Sequence, residues 1–220
     1  MNPIVIFGAG DIAELADFYF TREVGRTVEA FMVDPDYLDS TSRFGRPLVS
    51  VEEAIERFSP STHDAFVAIS YSSMNRLRQN KFNELKNFGY SLASYISPKA
   101  SVYSENIGEN AFILEDNTIQ PFAVIGSNVT LWSGNHIGHH SIIGDNTFIT
   151  SHVVVSGGVK VGQNCFIGVN ATIRDHITLG AMTLVGAGAL ILEDTEAESV
   201  HMTVNHTEVR RVKSTRLKSI

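Results

Sequence analysis

Two adjacent histidines, His139 and His140, stand 18 residues before two adjacent glycines, Gly157 and Gly158. Imidazole has an unperturbed pKa of about 6.5, so it is mostly neutral near pH 7 and can take a proton from an amine or a hydroxyl. Glycines present no side chain; they leave room for a ligand to approach backbone, or they form a tight corner. A second candidate is Gly8-Ala9-Gly10-Asp11-Ile12-Ala13, which follows the apolar run Ile4 to Phe7 and opens a helical pattern. Such a loop cradles phosphate, and Asp34, ending the next apolar run, stands where a carboxylate would meet a ribose. Alone, this reads as a nicotinamide or flavin site and thus an oxidoreductase, but only about four strands are expected, with no second half to hold the rest of a dinucleotide. Asp11 is unfavourable beside an anion unless it caps the helix.

Other polar residues carry plainer readings. His136 and His152 fall at different phases of the repeat described below, so convergence of the histidines on one ion is not expected and no metal site is assigned. His176, His201 and His206 read as solvated or contact residues. Arg76 and Arg78, following Tyr71-Ser72-Ser73, either neutralise a phosphate or lie solvated on a helix surface. The single cysteine, Cys165, excludes an internal disulfide framework and reads as a small buried side chain.

The elements that must position these groups differ between the two halves of the chain. Up to about residue 97 short apolar runs (Ile4 to Phe7, Val28 to Val33, Ala65 to Ile69, Leu92 to Ile96) alternate with helix candidates at Asp11 to Arg22, Val51 to Phe58 and Met74 to Phe88. This predicts a small α/β, Rossmann-like domain with a parallel sheet. From residue 98 to 195 the period is six. Aliphatic residues occupy every sixth position from Ile107 to Ile191, fifteen in succession, often followed by glycine, as at Gly108, Gly126, Gly138 and Gly144, and often preceded by two positions by a small residue such as Ala111, Ser141 or Cys165. One short strand plus a turn per repeat, three repeats to a triangular coil, accounts for the period; residues 18 apart then stack, and the aliphatics are buried only when coils stack. The glycines are expected at turns needing unusual backbone angles. Residues 196–220 form a tail.

At 220 residues and 43% hydrophobic content the chain has ample material for packed cores. Its net charge of −7, from 17 Lys and Arg against 24 Asp and Glu, is a poor footprint for nucleic acid. No signal peptide is evident at the N-terminus, and Leu184 to Leu192 is too short to span a membrane, so a soluble, cytoplasmic protein is expected.

The aliphatic–glycine repeat over residues 101 to 193 resembles the hexapeptide-repeat acyltransferases, which are left-handed parallel β-helices. With the α/β domain in front, the chain resembles the sugar acetyltransferases that include sialic acid O-acetyltransferase and the bacillosamine-pathway N-acetyltransferase. The resemblance implies a homotrimer with its active site between adjacent β-helices and acetyl-CoA as donor. It implies transfer to the amino group of a nucleotide-linked amino sugar in surface-polysaccharide biosynthesis, or O-acetylation of a sugar such as sialic acid. The family's base precedes an aliphatic–glycine pair by four residues, which carries that role onto His139, with His140 as the alternative; where the bacillosamine branch has a carboxylate, this chain has His140. The positions matching Gly157, Val169 and Ala187 contact the acyl-CoA in the family. Its N-terminal domain binds the acceptor, which places Gly8, Gly10 and Asp11 near phosphates and Asp34 near sugar or base. The basic tail from Arg210 to Lys218 either approaches the CoA phosphates or is solvated. A trimeric nucleotide-binding scaffold without catalysis is the reading from another class.

Overall fold

The computed structural model describes residues 2–203; His206 and the basic segment Arg210 to Lys218 lie outside the described residues. The N-terminal part begins with β1 (Ile4–Phe7), α1 (Asp11–Arg22) and β2 (Val28–Val33). A hairpin of β3 (Ser42–Arg43) and β4 (Arg46–Ser50) follows, then α2 (Val51–Arg57), β5 (Asp64–Val67), α3 (Arg76–Asn87) and β6 (Ser91–Leu92). The strands form one sheet in the order β3-β4-β2-β1-β5-β6, parallel except for the hairpin. Central β1 is buried on both faces: Ile4 and Ile6 pack towards α1, Val5 and Phe7 towards α2 and α3. An unbroken apolar run is what a strand covered on both sides requires.

Three details differ from the sequence pattern. The hairpin was not anticipated, because Arg46-Pro47-Leu48-Val49-Ser50 offers few apolar residues; Pro47 sits towards the sheet margin, where a missing N–H does least harm. The run Leu92 to Ile96 divides, β6 completing the α/β sheet while Tyr95–Ile96 pairs with Phe112–Ile113. Helix α3 starts at Arg76 rather than Met74, because Ser73, Met74 and Asn75 all have left-handed backbone, with φ of 53°, 51° and 61°.

From Tyr95 onward two-residue parallel strands stack, with an offset of 17 residues in the first coil, 18 in the central ones, as in Thr118 to His136, and 16 at Leu184 to Val200. They form the three faces of a left-handed β-helix. The first face runs through Tyr95–Ile96, Phe112–Ile113, Thr130–Leu131, Phe148–Ile149, Phe166–Ile167, Leu184–Val185 and Val200–His201. The second runs from Ser101–Val102 to Leu190–Ile191, and the third comprises Val124–Ile125, Ile142–Ile143, Lys160–Val161 and Thr178–Leu179. The inward aliphatics form one continuous core, and each fully buried one contributes roughly 1.5–3 kcal/mol. The small residues two positions earlier are buried with them. Their polar atoms are satisfied by carbonyls 15 residues on, Ser141 Oγ donating to Ser156 O at 2.8 Å and Thr147 Oγ1 to Gly162 O at 3.1 Å. Cys165 is fully buried among them, and burial pushes its thiol up to about 11.

The corners correct the expectation for glycine. The left-handed residue is the third after each aliphatic, from Asn110, Asp116 and Phe122 through to Gly188, with φ between 53° and 77°. The glycine that directly follows the aliphatic has ordinary backbone and is needed for space instead. A Cβ on Gly144 would lie 2.6 Å from the Gln163 nitrogen, and one on Gly138 2.6 Å from that of Gly157.

The first face carries the N-terminal domain. Asn110, Asn128, Asn146 and Asn164 all occupy left-handed corners, and their side chains form a ladder with Asn110 Nδ2 donating to Asn128 Oδ1 and Asn128 Nδ2 to Asn146 Oδ1, both at 2.8 Å. The ladder is tied to the α/β domain at both ends, since Val67 N–H donates to Asn110 Oδ1 at 2.8 Å and Asn164 Nδ2 donates to Gln79 Oε1 at 3.1 Å. Arg78 is neither a phosphate ligand nor solvated: it is 2% exposed and donates to Thr130 Oγ1 at 2.6 Å, Asn146 O at 2.7 Å and Asn75 Oδ1 at 3.1 Å. Burial drives its guanidinium down to about 9, which leaves it charged at neutral pH. Replacing Arg78 with Met should lower unfolding free energy by about 2–3 kcal/mol, because the Asn146 carbonyl and the Thr130 hydroxyl lose their partner in a buried place. Urea unfolding would read this, and a change below about 0.5 kcal/mol would contradict the docking role.

Candidate functional site

The corner between the second and third faces presents Gln120-Pro121-Phe122 on one coil, Gly138-His139-His140 on the next, Ser156-Gly157-Gly158 beyond it and Arg174-Asp175-His176 after that. His139 is held by its backbone from both sides: its N–H donates to Gln120 Oε1 at 2.9 Å and its carbonyl accepts from Gly158 N–H at 2.8 Å. His140 is the left-handed corner residue, φ 58°, with its ring 4.8 Å from that of Phe122. The two imidazoles meet through Nδ1, 3.1 Å apart, with ring planes nearly perpendicular. Both histidines are exposed to solvent.

The glycines do leave space, and imidazoles occupy it. A Cβ on Gly157 would lie 2.7 Å from both Cε1 and Nε2 of His139, so that edge of the ring lies directly over the side-chain-free position. The room at Gly158 holds the His176 ring from the following coil, whose Cε1 would be 2.8 Å from a Cβ there. Gly158 also needs to be glycine-like for its φ of 71°, whereas Gly157 is not left-handed and is small only for His139.

Val169 and Ala187 stack on the corner between the first and second faces, at the opposite edge of the second face from Gly157. One chain therefore does not bring the three together. His136 points out from the second face and His152 sits over Gly134 at the same corner as Val169. No three His, Cys, Asp or Glu side chains gather into a metal-ion set among the described residues.

In the α/β domain a cleft of about 390 Å³ opens where the carboxyl ends of β1, β2 and β5 diverge, and it is lined by Phe7, Gly8, Ala9, Gly10, Val33, Asp34, Tyr37, Asp39, Arg43, Ile69, Leu77 and Lys81. Open α/β sheets bind ligands at this reversal of strand order. Gly8 has φ of 124° and a Cβ there would stand 2.7 Å from the Ala68 carbonyl oxygen, so only glycine fits. Gly10 is the N-cap of α1, and no side chain caps it. Asp11 does not cap the helix and does not line the cleft; it is exposed in the first helical turn. Asp34 is in the cleft, paired with Lys81 Nζ at 2.5 Å, and Lys81 also reaches Glu84 at 2.7 Å. Burial alone would lower the Lys81 ammonium, but the hydrogen bonds from it to Asp34 and Glu84 prevail and raise it. Arg43 pairs with Asp39 at 2.7 Å.

Sequence reasoning missed Gln120 and Phe122, although stepping back 18 from His140 reaches Phe122. It also missed Tyr37, Arg43 and Lys81, which no motif marks, because α3 and the β3–β4 hairpin reach the cleft only through tertiary packing.

The repeat region matches two family models, Bacterial transferase hexapeptide (six repeats) over residues 122–157 and Hexapeptide repeat of succinyl-transferase over residues 158–193. No curated protein sequence matches the chain at a significant level. Among solved structures, the chain is similar to perosamine N-acetyltransferase PerB from Caulobacter crescentus in complex with CoA and GDP-perosamine, at 28% identity and a TM-score of 0.82, over 93% of this chain and 96% of that one. The acetyltransferase domain of PglB from Neisseria gonorrhoeae shares the fold at 23% identity and a TM-score of 0.81, over 92% and 97% of the two chains. WeeI from Acinetobacter baumannii shares it at 19% and 0.72, over 90% and 95%.

A β-helix of stacked six-residue repeats with a histidine over a side-chain-free corner defines a hexapeptide-repeat transferase. An α/β domain followed by such a β-helix is shared along nearly its whole length with the perosamine N-acetyltransferase PerB. Gly157→Ala should force the His139 ring aside and, on the role proposed for His139 below, slow acyl transfer roughly tenfold or more, since small displacements of a reacting group carry large rate penalties. Melting temperature should move by less than about 2 °C because no backbone strain is created. A variant as fast as the native enzyme would reduce Gly157 to a structural corner.

Proposed function

We propose that this enzyme transfers the acetyl group of acetyl-CoA to the amino group of a nucleotide-linked amino sugar, with His139 as general base. The observation that carries the reading is the His139 imidazole, its Nε2 edge free of protein side chains over Gly157, on a chain that shares fold and 28% identity with PerB along nearly its whole length. PerB is described bound to CoA and GDP-perosamine, and its solved variants include a histidine replaced by asparagine and by alanine.

The amine nitrogen attacks the thioester carbonyl, a C–N bond forms, and the carbonyl electrons move onto oxygen. His139 Nε2 takes the proton that the nitrogen sheds. Collapse restores the carbonyl and breaks the C–S bond, and the departing thiolate takes up the proton held on His139, leaving amide, free CoA and a neutral base. A neutral base positioned in this way contributes roughly 100- to 10,000-fold. The cleft at Gly8, Gly10 and Asp34 would hold the nucleotide, with Lys81 and Arg43 available to phosphate when they leave their carboxylate partners.

The assembly we propose is a homotrimer. The α/β domain sits on the first face, whereas His139 lies at the corner opposite that face, so the cleft and the base of a single chain stand on different sides of the prism. Beside the histidines, Phe122 is 69% exposed, and Val124 and Ile142 are also exposed, an apolar strip suited to another β-helix. A neighbouring copy would also bring its Val169 and Ala187 corner to this groove. We propose that the reaction takes place in the cytoplasm, in surface-polysaccharide synthesis.

Free CoA release should be measured with a panel of nucleotide-linked 3- and 4-amino sugars. Acceptor-dependent release is expected, reduced at least about 100-fold in His139→Ala; no release with any amino sugar, but release with hydroxyl acceptors, would turn the assignment to O-acetylation. Gly10→Glu, whose Cβ meets nothing within 4 Å, should block the cleft and leave the fold intact. Co-expressing Gly10→Glu with His139→Ala chains should then restore activity that neither has alone, and mixed assemblies that stay inactive would place each site within one chain.

A further inference from the structure

The position beside the base is a second histidine rather than a carboxylate, and its geometry is specific. His140 lies at a left-handed corner with its ring against Phe122, and among the described residues its partner at Nδ1 is Nδ1 of His139, 3.1 Å away. Two neutral imidazoles facing each other through Nδ1 share one proton there, so one ring donates and the other accepts. If the proton sits on His140, then His139 carries its own on Nε2 and cannot act as a base at that atom. If it sits on His139 Nδ1, the Nε2 over Gly157 keeps a free lone pair. Once His139 has accepted the substrate proton it is N–H at both nitrogens, and only a neutral His140 presenting a bare Nδ1 can face it. The contact therefore matches both the basic and the protonated state of His139 provided that His140 is the acceptor.

We infer that His140 is a positioning residue that accepts a hydrogen bond from His139 Nδ1–H, fixes the Nδ1–H tautomer of His139 and so keeps Nε2 available to the acceptor amine. The inference rests on the proposed role of His139 as base. No proton passes to His140: the substrate proton arrives at His139 Nε2, while the bridging proton remains on His139 Nδ1. Asparagine offers the natural control, because it tolerates left-handed backbone and its Oδ1 can accept where the imidazole Nδ1 did, whereas phenylalanine keeps a ring against Phe122 and accepts nothing.

Ring ¹⁵N NMR of the full-length enzyme with labelled histidine, without any substrate, reads the tautomer directly. His139 should be predominantly Nδ1–H in the native enzyme and in His140→Asn, and shift towards Nε2–H in His140→Phe. In the steady state His140→Phe should lose roughly 10- to 100-fold in kcat, with KM for acetyl-CoA and acceptor within about twofold, and His140→Asn should recover most of that loss. A native His139 in the Nε2–H form, or a tautomer ratio unchanged in His140→Phe, would overturn the inference. A fixed Nδ1–H tautomer in an enzyme that releases no CoA with any acceptor would instead reject the base role while leaving the hydrogen bond intact. Equal loss in His140→Asn and His140→Phe, with the tautomer retained in both, would also overturn the positioning role.

Discussion

The close approach of one coil to the next governs this molecule. With strands of two residues, each corner must turn the chain from one face to the next within four residues, and from Asn110 to Gly188 one residue per corner does so in the left-handed region. The preceding glycine then lies almost against the next coil, where a Cβ at Gly138 or Gly162 would collide with backbone. These two demands hold residues 18 apart in register, and the register decides which side chains meet at the corners. His139 lies over Gly157, His176 over Gly158 and His140 against Phe122 because each pair occupies the same corner on successive coils.

The same corner rule builds the junction with the α/β domain. Asparagine is the non-glycine residue best suited to left-handed backbone, and four stacked asparagines both satisfy the turns and leave amides to link to each other, to Val67 and to Gln79. Against this ladder the three left-handed residues Ser73, Met74 and Asn75 are held in an otherwise unfavourable conformation, because Asn75 Nδ2 donates to the carbonyls of Asn164 and Cys165 and its Oδ1 accepts from Arg78. A buried guanidinium without a carboxylate partner is tolerated only where neutral acceptors converge on it, as Thr130, Asn146 and Asn75 do. Apolar packing crosses the junction as well: Phe112, Leu114 and Trp132 join the core formed by α1 and one face of the α/β sheet. The two parts are thus a single packed body, and the cleft is fixed relative to the coils.

That rigidity has a chemical consequence. The cleft and the exposed histidine pair are mounted on opposite sides of the same prism; in the proposed homotrimer the site would be divided between copies, and a neighbour would cover the histidines.

Much was legible before any coordinates. The six-residue period predicted stacked triangular coils from Ile107 to Ile191, the alternation of apolar and amphipathic segments placed the helix from Asp11 to Arg22, and the Gly-x-Gly motif between them marked the loop at Gly8, because each depends on local spacing. The pairing of His139 with Gly157 was equally accessible, as arithmetic on the 18-residue coil. What tertiary structure decided was what the side chains meet. Arg78 is buried rather than solvated, Lys81 enters the cleft while Asp11 does not, and the glycines that directly follow the aliphatics are required for the close approach of successive coils rather than for dihedral freedom. The physical reason is common to all three: sequence periodicity fixes the face on which a residue lies, whereas contact partners depend on the packing of elements far apart in the chain, which no local pattern encodes.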